Sequence, residues 1–183
     1  THSDSIVVLF HDSVIETNDK IRVNAGFVKN TYFYLIYAGS EEEWALLYST
    51  ENPENKAEES LSGTLFITAL PWSDMTDPPG NETFYLLNSS TPLTELTKLL
   101  SRYESAPKKG KVKLGKKIQN HLDSLDPNSK EALASIASRL DKPLVGGVAF
   151  RGDDDDELKD MSLTHECKGT GGIAFIKIVL NHK

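Results

Sequence analysis

The densest chemistry in the sequence lies in Gly110-Lys111-Val112-Lys113-Leu114-Gly115-Lys116-Lys117, which has the spacing of a phosphate-binding loop. Such a loop needs small interior residues so that its amides can face phosphate, a closing hydroxyl for magnesium, and a buried strand before it. Val112, Leu114 and Lys117 stand at those positions and Ser105-Ala106-Pro107-Lys108-Lys109 precedes them, so nucleotide binding is not expected. The lysines themselves, Lys108, Lys109, Lys111, Lys113, Lys116 and Lys117, are a candidate anion patch, because six like charges in ten residues raise the local potential. Aromatic residues that would stack nucleic-acid bases do not interleave them. The plainer reading, which the sequence favours, is a solvated segment that keeps the chain soluble or pairs with the Glu-rich loops.

Three other groupings suggest chemistry. Asp153-Asp154-Asp155-Asp156-Glu157 offers Asp153, Asp155 and Asp156 as ligands for a hard cation such as calcium. An EF-hand would place Gly and Glu where Leu158 and Thr164 stand, so a charged loop that blunts a sheet edge is the better reading. His165-Glu166-Cys167 sets an imidazole and a thiol on one face of an extended chain, but two ligands do not complete a zinc site. Glu166 and the acidic run also oppose thiolate formation at Cys167. His11-Asp12-Ser13 holds the residue types of a serine hydrolase, yet neighbours in sequence cannot line up as a relay, and no Gly-x-Ser-x-Gly elbow or H-E-x-x-H helix occurs. A hydrolase would require at least two of His11, His121, His165 and Cys167 to meet in one pocket. No cofactor is expected.

These residues must be positioned by elements that the hydrophobic pattern outlines. Ile6 to Phe10, Lys20 to Val23, Thr31 to Tyr37, Trp44 to Tyr48, Thr64 to Leu70 and Thr83 to Leu87 read as strands, rich in β-branched and aromatic residues. Gly39-Ser40 marks a hairpin turn, Glu51 to Glu59 a solvated loop, and Asp77-Pro78-Pro79-Gly80-Asn81 a tight turn. Pro71 is expected to stop its strand. Helical spacing then takes over: Thr91-Pro92 supplies a cap and a first-turn proline for Leu93, Leu96, Leu100 and Tyr103. A second helix is expected from about Lys116 to Leu125, and a third from Asp126-Pro127 to Leu140. Val145 to Phe150 and Ile173 to Leu180 return to strand.

Strands, then helices, then strands indicate an α+β fold, mainly an antiparallel sheet or sandwich with a helical insertion of two or three helices between strands. At 183 residues the chain is sized for a single domain, with the helical insertion over 91–142 and the C-terminal strands of 143–183 completing the sheet. One cysteine excludes an internal disulfide and Cys-rich zinc modules. A formal net charge of −7 argues against a dedicated nucleic-acid binder, and no apolar run reaches the ~20 residues of a membrane span. The start at Thr1 is read as a processed or trimmed end.

The strands Thr31 to Tyr37, Trp44 to Tyr48 and Gly63 to Ile67, with Pro79-Gly80-Asn81-Glu82-Thr83-Phe84-Tyr85-Leu86-Leu87, resemble a bacterial domain-of-unknown-function family found beside caspase-like peptidases and serine/threonine kinases and in envelope lipoproteins. The resemblance covers residues 20–103; the chain departs from it at Ser49-Thr50, where members often carry Phe-Pro. It implies an accessory β-rich module without catalytic residues, extracytoplasmic by preference, with Pro79, Gly80 and Glu82 as turn and strand-start determinants. The function expected is a non-enzymatic interaction or sensing module with a protein partner. Its working surface would be the aromatic residues Tyr34, Tyr37, Trp44 and Tyr48 of the hairpin, or the loop carrying Trp72. An unrecognised hydrolase, or a divalent-cation domain using residues 153–160, is the alternative.

Overall fold

Alternation along the strands builds the molecule. The computed structural model describes residues 8–9, 11–55, 58–59, 64–76, 78–126, 147–150 and 173–183. In chain order the elements are β1 (Val8–Leu9), β2 (Val14–Ile15), β3 (Lys20–Val28), β4 (Tyr32–Ala38), β5 (Trp44–Ser49), β6 (Glu58–Glu59), β7 (Thr64–Asp74) and β8 (Gly80–Ser89). The helices α1 (Thr94–Glu104) and α2 (Lys108–Leu125) follow, then β9 (Gly147–Phe150) and β10 (Ile173–His182). One sheet has the order β1-β9-β3-β7-β6 and the other β2-β10-β8-β4-β5. Among the described residues every pairing is antiparallel except that of β2 with β10.

The two sheets pack on one apolar cluster. Ile21, Val23, Ala25 and Phe27 of β3 with Ile67 and Ala69 of β7 meet Phe33, Leu35, Phe84, Leu86, Ile176, Ile178 and Leu180 of the second sheet. Phe27 and Phe33 stack across the interface with centroids 5.1 Å apart. The alternate residues of the second sheet form a further cluster. Tyr34, Ile36, Tyr85, Leu87 and Phe175 pack against Leu96 and Leu100 of α1 and Ile118 and Leu122 of α2. The second sheet is thus covered on both faces, which is why β4 and β8 read as continuous apolar runs instead of alternating ones. Each fully buried Phe or Leu in these layers contributes on the order of 1.5–3 kcal/mol of transfer free energy.

The α+β architecture, with antiparallel sheets and helices inserted between strands, agrees with the sequence reading, and four local expectations change. Helix α2 begins at Lys108 rather than near Lys116, so the lysine segment is helical. Lysine is a good helix former, and Gly115, Ile118 and Leu122 bury one stripe of the helix. Helix α1 starts at Thr94 with Leu93 at its N-cap, where the Leu93 amide donates to the Tyr34 hydroxyl at 2.9 Å. Strand β7 continues past Pro71 to Asp74. Its register against β3 slips twice there, pairing Ile21 with Ser73, Val23 with Leu70 and Asn24 with Thr68, so the proline sits in a bulge where no ladder donor is needed. In the acidic loop, Glu58 and Glu59 pair with Phe66 and Leu65 as β6. The expected third helix lies outside the described residues.

Candidate functional site

Helix α2 divides its residues sharply between two faces. Gly115, Ile118 and Leu122 are buried against the second sheet. Gly115 lets the helix sit close to the sheet: a Cβ would stand 3.0 Å from Nε1 of Trp44, whose ring stacks on Tyr85 at 5.8 Å, so a larger residue requires the indole to give way. The glycine spacing that imitates a phosphate loop therefore serves helix packing. Lys108, Lys109, Lys113, Lys116 and Lys117 are exposed, and Val112 among them is 53% exposed. Lys111 is half-buried, with Nζ 5.0 Å from the Tyr103 ring centroid. Among the described residues none of the five exposed lysines forms an ion pair.

This face works against the helix that carries it. The first turn contains no acidic residue, and the Pro107 N-cap makes no side-chain cap bond. Lys108, Lys109 and Lys111 instead place positive charge at the positive end of the helix dipole, at about 0.3–1 kcal/mol each when exposed. Lys109 with Lys113, and Lys113 with Lys117, are like-charge pairs four apart, destabilising by roughly 0.2–0.5 kcal/mol each.

The aromatic candidates are distributed differently from the expected binding edge. Tyr34 is fully buried between sheet and helices, and its hydroxyl donates to Glu51 Oε2 at 2.8 Å. Burial raises its phenol well above the usual tyrosine range. Tyr48 is buried in the inter-sheet cluster beside Phe33. Trp44 is half-buried under α2. Tyr34 and Tyr48 are thus core residues, because a strand covered on both faces buries its aromatics whichever way they point. Trp72 is half-buried on β7 with the Arg22 guanidinium 6.0 Å from its ring centroid, and Arg22 also donates to Asn24 and Thr68.

Of the hydrolase candidates, His11 is exposed beside Asp12 at 3.5 Å and accepts the Val179 amide at 3.3 Å, whereas His121 lies half-buried on α2. No contact joins the two. His165, Cys167 and the cation candidates Asp153, Asp155 and Asp156 lie outside the described residues. Among the described residues no cluster of three or more His, Cys, Asp and Glu is suited to a metal, and no helix is long and apolar enough to cross a membrane. An open groove of about 390 Å³ is lined by Thr94, Glu95, Lys98, Leu99 and Arg102 of α1 alone, and holds none of the candidates.

A polar cluster that sequence reasoning did not identify closes one end of the sandwich. Glu82, expected only to start a strand, is buried; Tyr37 donates to its Oε2 at 2.5 Å, and His182 Nδ1 stands 3.6 Å from its Oε1. Nε2 of His182 is 3.1 Å from the Thr17 hydroxyl. Burial, reinforced by the Glu82 carboxylate, raises the Tyr37 phenol and keeps it a donor. A signal for this cluster existed: Glu82 continues Phe84 and Leu86, His182 continues Ile178 and Leu180, and Tyr37 continues Phe33 and Leu35 at a period of two.

Comparison of the chain with protein-family models, with curated proteins and with solved structures returns no match.

Proposed function

We propose that the chain is a non-enzymatic interaction module that binds an acidic segment of a protein partner through the outward lysine face of α2. The observation that carries this reading is the placement of Lys109, Lys113, Lys116 and Lys117 on one exposed helical face, with Lys108 exposed at the helix start, where positive charge costs the helix stability; none of the five forms an ion pair among the described residues. Sequence features that break a local rule without a local compensation concentrate at functional sites, and an acidic partner supplies the missing compensation. The resemblance to modules accompanying bacterial signalling and envelope proteins agrees with an accessory role. The hydrolase and cation readings have no comparable observation behind them.

The test is binding of a fluorescent Glu-rich peptide of about ten residues, a charge run long enough to cover the lysines, followed by anisotropy. The intact chain is expected to bind, with affinity falling as salt rises, since exposed charges are screened over about 10 Å at 0.1 M ionic strength. The combined variant Lys113→Gln, Lys116→Gln, Lys117→Gln is expected to lose at least about tenfold in affinity, or ~1.4 kcal/mol. Equal affinities for the two proteins would refute the reading.

A further inference from the structure

One side chain among the lysines of α2 does not share their chemistry. Val112 is 53% exposed, and Val14 and Leu46 are the other large apolar residues exposed among the described residues. It joins neither apolar cluster, whereas Leu114 and Leu125 of the same helix pack against the second sheet. Side chains three and four residues apart are neighbours on a helix, and at those positions Val112 meets Lys108, Lys109, Gly115 and Lys116. The lysines are exposed and the glycine has no side chain, so no apolar neighbour along the helix shelters the valine.

Valine also suits this place poorly on local grounds. Its β-branch is restricted against the preceding turn, so an unbranched polar residue would serve an exposed helix position better. Along the axis Val112 lies between Lys109 and Lys116, which are separated by roughly 10 Å of helical rise. Lysine carries a methylene stem beneath its ammonium head, so an apolar group set down between those two heads meets hydrocarbon on the helix. An isolated exposed valine is ordinary on a protein surface, but this one is enclosed by the charges that a partner must reach, so it is covered whenever they are paired.

We propose that the acidic segment bound by α2 is amphipathic: its carboxylates pair with the lysine heads, and an apolar side chain between them is seated on Val112. This rests on the lysine face being the binding surface, and it assigns Val112 as the residue that selects among acidic segments. Lysine ammonium groups are hydrated point charges that attract any carboxylate, so charge alone discriminates poorly between one acidic sequence and another. Contact on Val112 adds the discrimination. A segment of carboxylates only covers the valine with a polar group, whereas one with a leucine at that point removes two apolar surfaces from water together.

The experiment is fluorescence anisotropy of the full chain with two Glu-rich peptides of about ten residues and equal charge, one carrying Leu and the other Gln at its centre. The leucine peptide is expected to bind about fivefold more tightly, the effect of burying roughly half a valine side chain. Val112→Gln changes an exposed position to a better helix former, so the variant is expected to fold as the wild type does. It is expected to hold the glutamine peptide with wild-type affinity and to bind the two peptides equally. Equal affinities of the wild type for the two peptides, or the same leucine preference in the variant, overturn the proposal and leave the lysine face in place. Failure of both peptides to bind the wild type overturns the binding role of the lysine face, and this inference with it.

Discussion

Single side chains join the layers of this molecule, and their roles follow from what each would leave behind if removed. The Tyr34 hydroxyl accepts the Leu93 amide and donates to Glu51, fixing the start of α1 to the second sheet. Tyr34→Phe leaves a buried amide without its acceptor and is expected to cost about 1–3 kcal/mol in denaturant unfolding. Gly115 allows Trp44 to approach α2, with no room for a longer side chain at 3.0 Å from Nε1. Gly115→Leu is expected to destabilise by about 1–3 kcal/mol despite leucine's better helix propensity, as read by the urea midpoint. Apolar residues were legible in sequence because their burial follows from type and period. Glu82 and His182 were not, since type assigns a carboxylate and an imidazole to solvent and only the period-two continuation of their strands assigns them to the core. The burial of Tyr34 and Tyr48, expected at a surface, was hidden for the converse reason: an aromatic suits a surface and a core alike, and only the packing of the sheet decides.

At the scale of elements, the lysines of α2 set helix stability against the proposed binding of an acidic segment. Lys108→Glu with Lys109→Glu places acids in a first turn that has none, and is expected to raise stability by about 0.3–1 kcal/mol per residue while weakening capture of a Glu-rich peptide. Thermal melting and anisotropy on the same variant check both halves. A variant that gains stability and keeps its affinity would show that the lysines serve neither the helix nor the partner. The strands of the first half were readable because β-branched and aromatic runs are bounded by turn residues, as at Gly39-Ser40 between β4 and β5. Two boundaries were not readable. The start of α2 was hidden because its buried stripe is thin, with a glycine as one of its three buried residues. The passage of β7 through Pro71 depends on a bulge that only pairing with β3 creates.

For the molecule as a whole, the helical hairpin is the third layer of the fold rather than an appendage. Tyr34, Ile36, Tyr85, Leu87 and Phe175 are covered by it. Its lysine-rich face lies opposite the buried stripe of α2, turned away from the sheet. A net charge of −7 conceals this polarity, since the lysines of 108–117 are concentrated on one helix of an otherwise acidic chain. Association guided by such a patch is expected to accelerate at low salt and slow as screening shortens the field, which stopped-flow mixing at two ionic strengths would measure. The most direct measurement of the central claim is an amide chemical-shift titration of the intact chain with the Glu-rich peptide. The expected result is a set of perturbations concentrated on residues 108–117 of α2 that disappears in the lysine-to-glutamine variant. Perturbations centred elsewhere, or none at all, would contradict the assignment of this face as the binding surface.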